Sequence, residues 1–182
     1  PIATGKQFGG SNVLDTIVVD ISPEDRLVLN RRENADVRVD GHLDDSVWHE
    51  LPAYDEFVVL QPDTLSKPEY ATRVRAFYDE RGLYFGIDME QPVGTLITRL
   101  SGRDRLDIER EQIGVTLDTS GEGRYGYWFG VYLGDSVVDG TVLPERKFSN
   151  EWDGAWRAAT QQTESGWSAE FYIPWGTVSM PV

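Results

Sequence analysis

Residues 72–89 read TRVRAFYDERGLYFGIDM, and this stretch decides the fold class. Alternate residues are apolar in 72–78 and again in 83–89. Because successive side chains of an extended chain point to opposite faces, this period of two predicts two β-strands. The residues between them, DERG at 79–82, have the composition of a tight turn. The stretch is therefore predicted to form an antiparallel β-hairpin.

The same alternation continues toward the C-terminus in 112–118, 125–133, 138–142, 156–160 and 167–173. Turn-forming residues separate these segments, as in 119–124, which is rich in Gly and Ser. A parallel α/β fold would need amphipathic helices between the strands, and the sequence has none there. We therefore predict an all-β fold, an antiparallel β-sandwich of the immunoglobulin-like type or a barrel.

One short helical turn is predicted at 44–48, DDSVW, with Asp44 or Asp45 as its N-cap and a stop at Leu51-Pro52. Residues 1–34 are predicted to form an N-terminal arm. Its polar, Gly-containing start is typical of a flexible segment, and DTIVVDI at 15–21 is a candidate edge strand. The sandwich domain is predicted to span 35–182.

The composition excludes several classes of protein. The 182 residues include no cysteine, which rules out disulfides, thiolate zinc sites, iron–sulfur clusters and cysteine nucleophiles. Lys and Arg number 17 against 31 Asp and Glu, and this net charge of −14 disfavours nucleic acid and anionic membranes as partners. Hydrophobic residues make up 40 % of the chain, enough to build a core.

No apolar run reaches the roughly 18 residues of a membrane-spanning helix, and no signal-peptide pattern is present. The first residue is Pro1 rather than Met. We therefore expect the sequence to be a piece of a longer protein, without direct membrane insertion of this piece.

The longest irregular stretch runs from residue 91 to residue 110, and the charged segment RLSGRDRLDIERE at 99–111 makes up its second half and the residue after it. Four arginines and four acidic residues are interspersed there. Long loops in compact domains often carry function, whereas balanced charges are also typical of a solvated, self-paired surface loop. Both interpretations stay open.

Motifs for nucleotide, zinc or hydrolase chemistry are weak. GEGRYG at 121–126 matches G-x-G-x-x-G, but a strand pattern rather than a helix follows it, so we predict a hairpin turn. His42 and His49 form no H-E-x-x-H motif and are predicted to be surface residues, and G-x-S-x-G is absent. Acidic loops at 104–111 and 135–139 leave a calcium site open, although the EF-hand spacing is missing.

The tryptophans are more informative. Trp48 and Trp167 are predicted to be core residues. Trp128, Trp152 and Trp156 are candidate surface residues beside Asp, Asn and Arg, an arrangement typical of sugar binding because the apolar face of a pyranose stacks on the ring. The alternative is that these three rings cover the edge of the sandwich.

Four segments, in order, resemble the family 9 carbohydrate-binding module superfamily. VRVDGHLDDSVWHELP at 37–52 is similar to its V-D-G-x-L-D-[DE]-x-x-W opening, and residues 72–89 resemble its paired strands. Residues 103–142 resemble its central acidic strand and the meander that follows it. EWDGAWRAATQQTESGWSAEFYIPW at 151–175 resembles its closing segment, W-D…W…GW…E…IP[WF].

The resemblance implies a DOMON-like β-sandwich, sugar binding, and a periplasmic or extracellular location. The nearest variant resembles the N-terminal module of bacterial envelope proteins that continue into a predicted outer-membrane barrel. In that setting the resemblance implies a part in polysaccharide catabolism.

Departures from the family pattern change the expected site. In sugar-binding members of the family an aromatic clamp holds the sugar. Here Ile108 stands at the position of one clamp Trp, and Gly114 stands at the position of a Glu on the central strand. The second clamp Trp would lie beyond Val182, so we expect the fold to lack its last one or two strands. The family's binding mode is therefore not carried over. The predicted sugar-binding set is instead Trp128, Trp152, Trp156, Arg103 and Asp139.

Three functions follow as hypotheses. The first is a non-catalytic carbohydrate-binding module whose partner is a polysaccharide or oligosaccharide. The second is a structural plug or docking domain for a barrel or catalytic domain of the same parent chain. The third is a haem module, since Met89, Met180 and the histidines offer ligand types that haem uses. An enzyme is not favoured, and calcium is a further candidate cofactor.

Overall fold

Ten β-strands and one α-helix make up most of the regular structure of the described chain. The computed structural model describes residues 2–5, 27, 29–33, 35–105, 107–144 and 147–179. The elements are β1 (Ile2–Gly5), β2 (Asn30–Arg31), α1 (Ser46–Glu50), β3 (Thr72–Tyr78), β4 (Gly82–Glu90), β5 (Gln112–Leu117), β6 (Gly126–Tyr132), β7 (Val137–Leu143), β8 (Lys147–Ser149), β9 (Arg157–Gln162) and β10 (Gly166–Pro174). Short 3-10 turns lie at Val93–Thr95 and Trp175–Thr177.

The strands form two five-stranded sheets that pack face to face. The first sheet has the order β1-β5-β6-β7-β8, and the second has the order β2-β3-β4-β10-β9. Neighbouring strands are antiparallel, except that β2 pairs parallel with β3. The prediction of an all-β antiparallel sandwich with one short helix is confirmed.

The hairpin predicted at 72–89 is β3 and β4, with Thr72 opposite Met89 and Tyr78 opposite Leu83. Its turn is organised by Asp79, which is 2 % exposed. The Asp79 carboxylate accepts hydrogen bonds from the Arg81 amide at 2.8 Å and from the Gly82 amide at 3.1 Å. The turn therefore satisfies its own backbone donors with one side chain.

Alternation places one apolar face of each sheet inside the sandwich. The first sheet contributes Ile113, Val115 and Phe129, and the second contributes Phe85 and Phe171 to the same buried cluster. Full burial of each such side chain contributes roughly 1.5 to 3 kcal/mol. The inner faces are therefore the main source of stability, and the outer faces are left for other roles.

The outer face of the second sheet is covered by the segment 35–51, which includes α1. Trp48 is 1 % exposed and packs on Phe77 with ring centroids 5.4 Å apart. The fully buried Glu170 of β10 accepts hydrogen bonds from the amides of Asp40 and Gly41, both at 2.9 Å. Trp48 and Trp167, at 1 % and 0 % exposure, are thus core residues as predicted.

Two local predictions need correction. Asp45 is the residue before α1, but its side chain makes no capping hydrogen bond to the helix and instead accepts the Arg38 amide at 3.0 Å. Residues 2–5 were expected in a flexible arm, yet they form β1 along β5. The candidate strand 15–21 lies outside the described residues. Among the helices of the described chain, none is long and apolar enough to cross a bilayer.

Candidate functional site

Four of the five predicted site residues lie together at one edge of the sandwich. Arg103 comes from the long loop, Asp139 from β7, and Trp152 and Trp156 from the segment before β9. The ring of Phe129 lies beside both tryptophans, with centroid distances of 5.7 Å to Trp152 and 5.2 Å to Trp156. We call Arg103, Asp139, Trp152 and Trp156, together with Asp104, Asp153 and Gly154, the edge cluster.

Asp139 is the buried centre of the edge cluster. It lies directly opposite Phe129 in the sheet and is 0 % exposed. Its carboxylate accepts hydrogen bonds from Arg103 Nη2 at 2.5 Å, the Gly154 amide at 2.6 Å and Trp156 Nε1 at 3.1 Å. A buried charge needs such partners, and here three donors from two distant segments supply them. Asp139 therefore holds the cluster together rather than facing a ligand.

Arg103 connects the loop to the segment before β9 and reaches solvent. Its Nε donates to Asp153 at 2.9 Å, and its Nη2 donates to the Gly154 carbonyl at 3.3 Å. The Arg103 side chain is 37 % exposed and that of Asp153 is 74 % exposed. The pair therefore presents a positioned guanidinium and carboxylate at the surface.

The long charged loop is folded back on the sheet by Arg110, which is 4 % exposed. The Arg110 guanidinium lies 3.4 Å from the centroid of the Tyr132 ring and donates to the carbonyls of Arg99 and Arg105. Among the described residues of the loop, Arg105 and Asp107 form a pair that fits the solvated, self-paired interpretation, with both side chains more than half exposed. The loop is thus partly a surface loop and partly the support that positions Arg103.

The predicted exposure of Trp156 is wrong. This residue is 8 % exposed and stacks on Phe171 inside the main core, with centroids 5.8 Å apart. Trp152 is half-buried and packs on Tyr127 at 4.9 Å. Trp152 therefore supplies the partly accessible indole of the edge cluster.

The predicted exposure of Trp128 is also wrong. The residue lies on the outer face of the first sheet, because its neighbour in β6, Phe129, points to the inner face. It is nevertheless only 7 % exposed. Its indole lies over Gly114 and Gly130, and Phe148 packs edge-on against it at 5.4 Å. Trp128 is therefore separated from the edge cluster by the sheet itself.

Three carboxylates of the edge cluster meet the spacing of a metal site. Oxygens of Asp104, Asp139 and Asp153 lie within 4.8 Å of one another. Burial first, and then the charge of Asp139, raises the pKa of Asp104. Arg103 already lies among these oxygens and supplies positive charge where Ca²⁺ would. Calcium at 104–111 or 135–139 stays a prediction.

The residues considered for haem are placed differently. Met89 is 6 % exposed within the main core, and His42 and His49 are exposed as predicted. Met180 lies outside the described residues. The haem hypothesis stays a prediction.

Asp104, Asp153 and Gly154 were missed as members of the cluster. Asp153-Gly154 could have been found from its position between Trp152 and Trp156. A polar loop residue beside two predicted sugar-stacking rings is a candidate for hydrogen bonding to the sugar. Asp104 gives no such signal, because its role depends on contact with β7, where its carboxylate accepts the Asp139 amide at 3.3 Å.

Comparisons with known proteins define the fold. No protein-family model matches the chain, and no curated protein matches it. Among solved structures, it is similar to a family 9 carbohydrate-binding module from Caldicellulosiruptor kristjanssonii, solved in complex with cellotriose. The TM-score is 0.53 at 13 % identity, and the match covers 85 % of this chain and 68 % of that one. The two chains share a β-sandwich fold.

Proposed function

We propose that this chain is a non-catalytic carbohydrate-binding module and that a sugar binds at the edge cluster beside Trp152, Arg103 and Asp153. The observation that carries the proposal is the convergence of a half-buried indole with an exposed, prepositioned Arg–Asp pair. The shared fold with a module solved with cellotriose supports the same class of ligand.

The chemistry of the edge cluster suits a neutral sugar. The Trp152 ring offers an apolar surface for the C–H face of a pyranose. Asp153 accepts one hydrogen bond from Arg103, which leaves acceptor capacity for a sugar hydroxyl. Among the described residues none accepts a hydrogen bond from Arg103 Nη1, so this group can donate to a sugar oxygen.

The expected affinity is modest. Stacking on one aromatic ring contributes about 1 kcal/mol, and the two polar contacts contribute about 1 kcal/mol each. These contributions add to about 3 kcal/mol, so binding in the millimolar range follows.

Calorimetry after a glycan-array screen, run with calcium present, tests the proposal. Trp152→Ala should abolish measurable binding, whereas Tyr70→Ala, at a 39 % exposed aromatic residue outside the edge cluster, should leave it unchanged. Absence of binding to every neutral glycan would refute the proposal. Binding that survives Trp152→Ala would move the site elsewhere on the molecule.

The larger setting is part of the proposal and rests on the four resembling segments. We propose that the module belongs to a secreted or envelope protein, in the periplasm or outside the cell, that takes part in polysaccharide catabolism. A parent chain that continues into a barrel would favour the docking hypothesis, and one that continues into a glycosidase would favour sugar binding.

A further inference from the structure

A cavity of about 620 Å³ lies between the start of β9 and the segment 35–51 that covers the outer face of the second sheet. Its volume falls within the roughly 300 to 1,000 Å³ of small-ligand sites. The residues that line it are Asp36, Val37, Arg38, Val39, Asp45 and Arg157. None of these residues belongs to the edge cluster, so the cavity is a separate place on the molecule.

One wall of the cavity carries a prepositioned guanidinium. Arg157 is the first residue of β9 and is exposed. Its guanidinium lies 5.1 Å from the centroid of the Tyr172 ring, and Tyr172 in turn stacks on Tyr84 with centroids 4.8 Å apart. This contact orients the guanidinium without neutralising it, because an aromatic ring has no net charge. Among the described residues no carboxylate lies within 4.0 Å of Arg157, so its N–H groups are available to a ligand.

The other wall carries an unpaired carboxylate. The Asp36 side chain is exposed and, within the described part of the chain, forms neither an ion pair nor a hydrogen bond. The remaining charged groups of this wall are engaged, since Arg38 Nε lies 3.4 Å from Asp40 and the Arg38 amide donates to Asp45 at 3.0 Å. Asp36 and Arg157 line the same cavity but do not come within 4.0 Å of each other. A ligand that carries both charges would pair with both.

The covering segment also offers unpaired backbone groups to the cavity. Val37 and Val39 are half-buried whereas Asp36 and Arg38 are exposed, and this alternation is typical of an extended chain. Among the described residues nothing forms a hydrogen bond with the backbone amides and carbonyls of Val37 and Val39. Residues two positions apart in an extended chain direct these groups to the same side. A second extended chain can therefore pair with them, as an added strand does.

We propose that this cavity binds a short peptide with free ends. The peptide carboxylate pairs with Arg157, its ammonium group pairs with Asp36, and its backbone forms hydrogen bonds with Val37 and Val39. A peptide meets all three requirements because it carries both charges with main-chain donors and acceptors between them. A simple anion would leave Asp36 unpaired, and a simple cation would leave Arg157 unpaired. The site does not depend on the proposed carbohydrate binding.

Titration of the whole ¹⁵N-labelled chain with triglycine, followed by nuclear magnetic resonance, tests the proposal. Millimolar triglycine should shift the Val37 and Val39 amides. N-acetyl-triglycine lacks the ammonium group, triglycine amide lacks the carboxylate, and N-acetyl-triglycine amide lacks both. Each single block should weaken binding about fivefold, since one exposed charge pair is lost. Absence of shifts at Val37 and Val39, or equal affinity for triglycine and its doubly blocked form, would overturn the proposal.

Substitutions assign the two ends of the peptide. Arg157→Gln should weaken triglycine binding about fivefold but leave triglycine amide unchanged, because that ligand has no carboxylate to pair. Asp36→Asn should likewise weaken triglycine binding and leave N-acetyl-triglycine unchanged. Arg124→Gln is the matched control, since it removes the same charge from an exposed position in the turn between β5 and β6 and should have no effect. If it weakens triglycine binding as much as Arg157→Gln does, the effect comes from net charge and the site is refuted.

Discussion

The Trp48 indole donates a hydrogen bond to the Glu170 carboxylate at 2.8 Å, although the two residues are 122 positions apart. This contact joins the opening segment 37–52 to the last strand of the second sheet. Glu170 also accepts hydrogen bonds from the amides of Asp40 and Gly41, so one buried carboxylate holds the segment 35–51 on the second sheet. The first and last of the resembling segments therefore meet at a structural contact rather than at a binding surface.

Glu170→Gln should destabilise the fold by roughly 2 to 3 kcal/mol, because the new amide group would face backbone or indole donors inside the protein. Urea denaturation followed by far-ultraviolet circular dichroism measures the change. Glu164→Gln, at an exposed position in the turn before β10, should change stability by no more than about 0.5 kcal/mol. Equal midpoints for the two variants would show that Glu170 does not hold the segment.

Gly41→Ala should cost roughly 2 kcal/mol or more, because Gly41 has a φ of +89° and a Cβ there would lie 2.5 Å from the Thr160 carbonyl carbon. The approach of backbone to backbone leaves nothing flexible to move aside. Gly176→Ala is the control, since a Cβ at Gly176 would have no atom within 4 Å. Thermal unfolding of both variants is the measurement, and an unchanged melting temperature for Gly41→Ala would contradict this account.

The strands were predictable because alternation is a local property of the sequence. Residues 72–78 form β3 as predicted, and 83–89 differs from β4 by one residue at each end. The short segment Asn30–Arg31 was not predicted as a strand, because its pairing depends on β3 rather than on a pattern of its own. Local periodicity therefore identifies strands but does not show which short edges join a sheet.

The candidate site was only partly predictable. Trp128 was placed on the correct face, but its burial depends on Gly114 of the neighbouring strand, and a single sequence does not show which strands are neighbours. Arg103 and Asp139 of the predicted sugar-binding set contact each other although they are 36 positions apart, and their part in sugar binding stays a prediction. Trp156 was taken for a surface residue because a loop–strand junction does not reveal that the ring packs on Phe171.

The hairpin turn at Asp79 gives a pH prediction. Burial alone would raise the pKa of Asp79, but hydrogen bonds from the Arg81 side chain and from the Arg81 and Gly82 amides hold it below the ordinary 3.8. A folded-state pKa below the unfolded one means that the ionised group stabilises the fold above the unfolded value. This contribution is lost as the pH falls through the folded-state pKa.

Asp79→Asn should therefore lower the free energy of unfolding most at neutral pH, and its difference from the parent chain should shrink below the ordinary aspartate pKa. A series of urea titrations from neutral to acidic pH measures that difference. Glu80→Gln, an exposed change in the same turn, should show a small difference at every pH. If the difference in free energy of unfolding between Asp79→Asn and the parent chain stays constant down to low pH, the lowered pKa of Asp79 does not stabilise the fold.

Asp139→Asn tests whether the edge cluster supports both the long loop and ligand binding. The amide would remove the charge that Arg103 contacts and would place an N–H₂ group against the Gly154 amide or the Trp156 indole. Breaking a buried charge contact of this kind costs about 3 kcal/mol. Hydrogen exchange should therefore become faster in 99–105, where the Asp104 amide is bonded to the Val137 carbonyl at 3.1 Å.

Asp107→Asn breaks only the exposed pair with Arg105 and should leave exchange there nearly unchanged. If the Asp139 variant keeps normal protection in 99–105 yet loses sugar affinity, Asp139 acts on the ligand directly and not through Arg103.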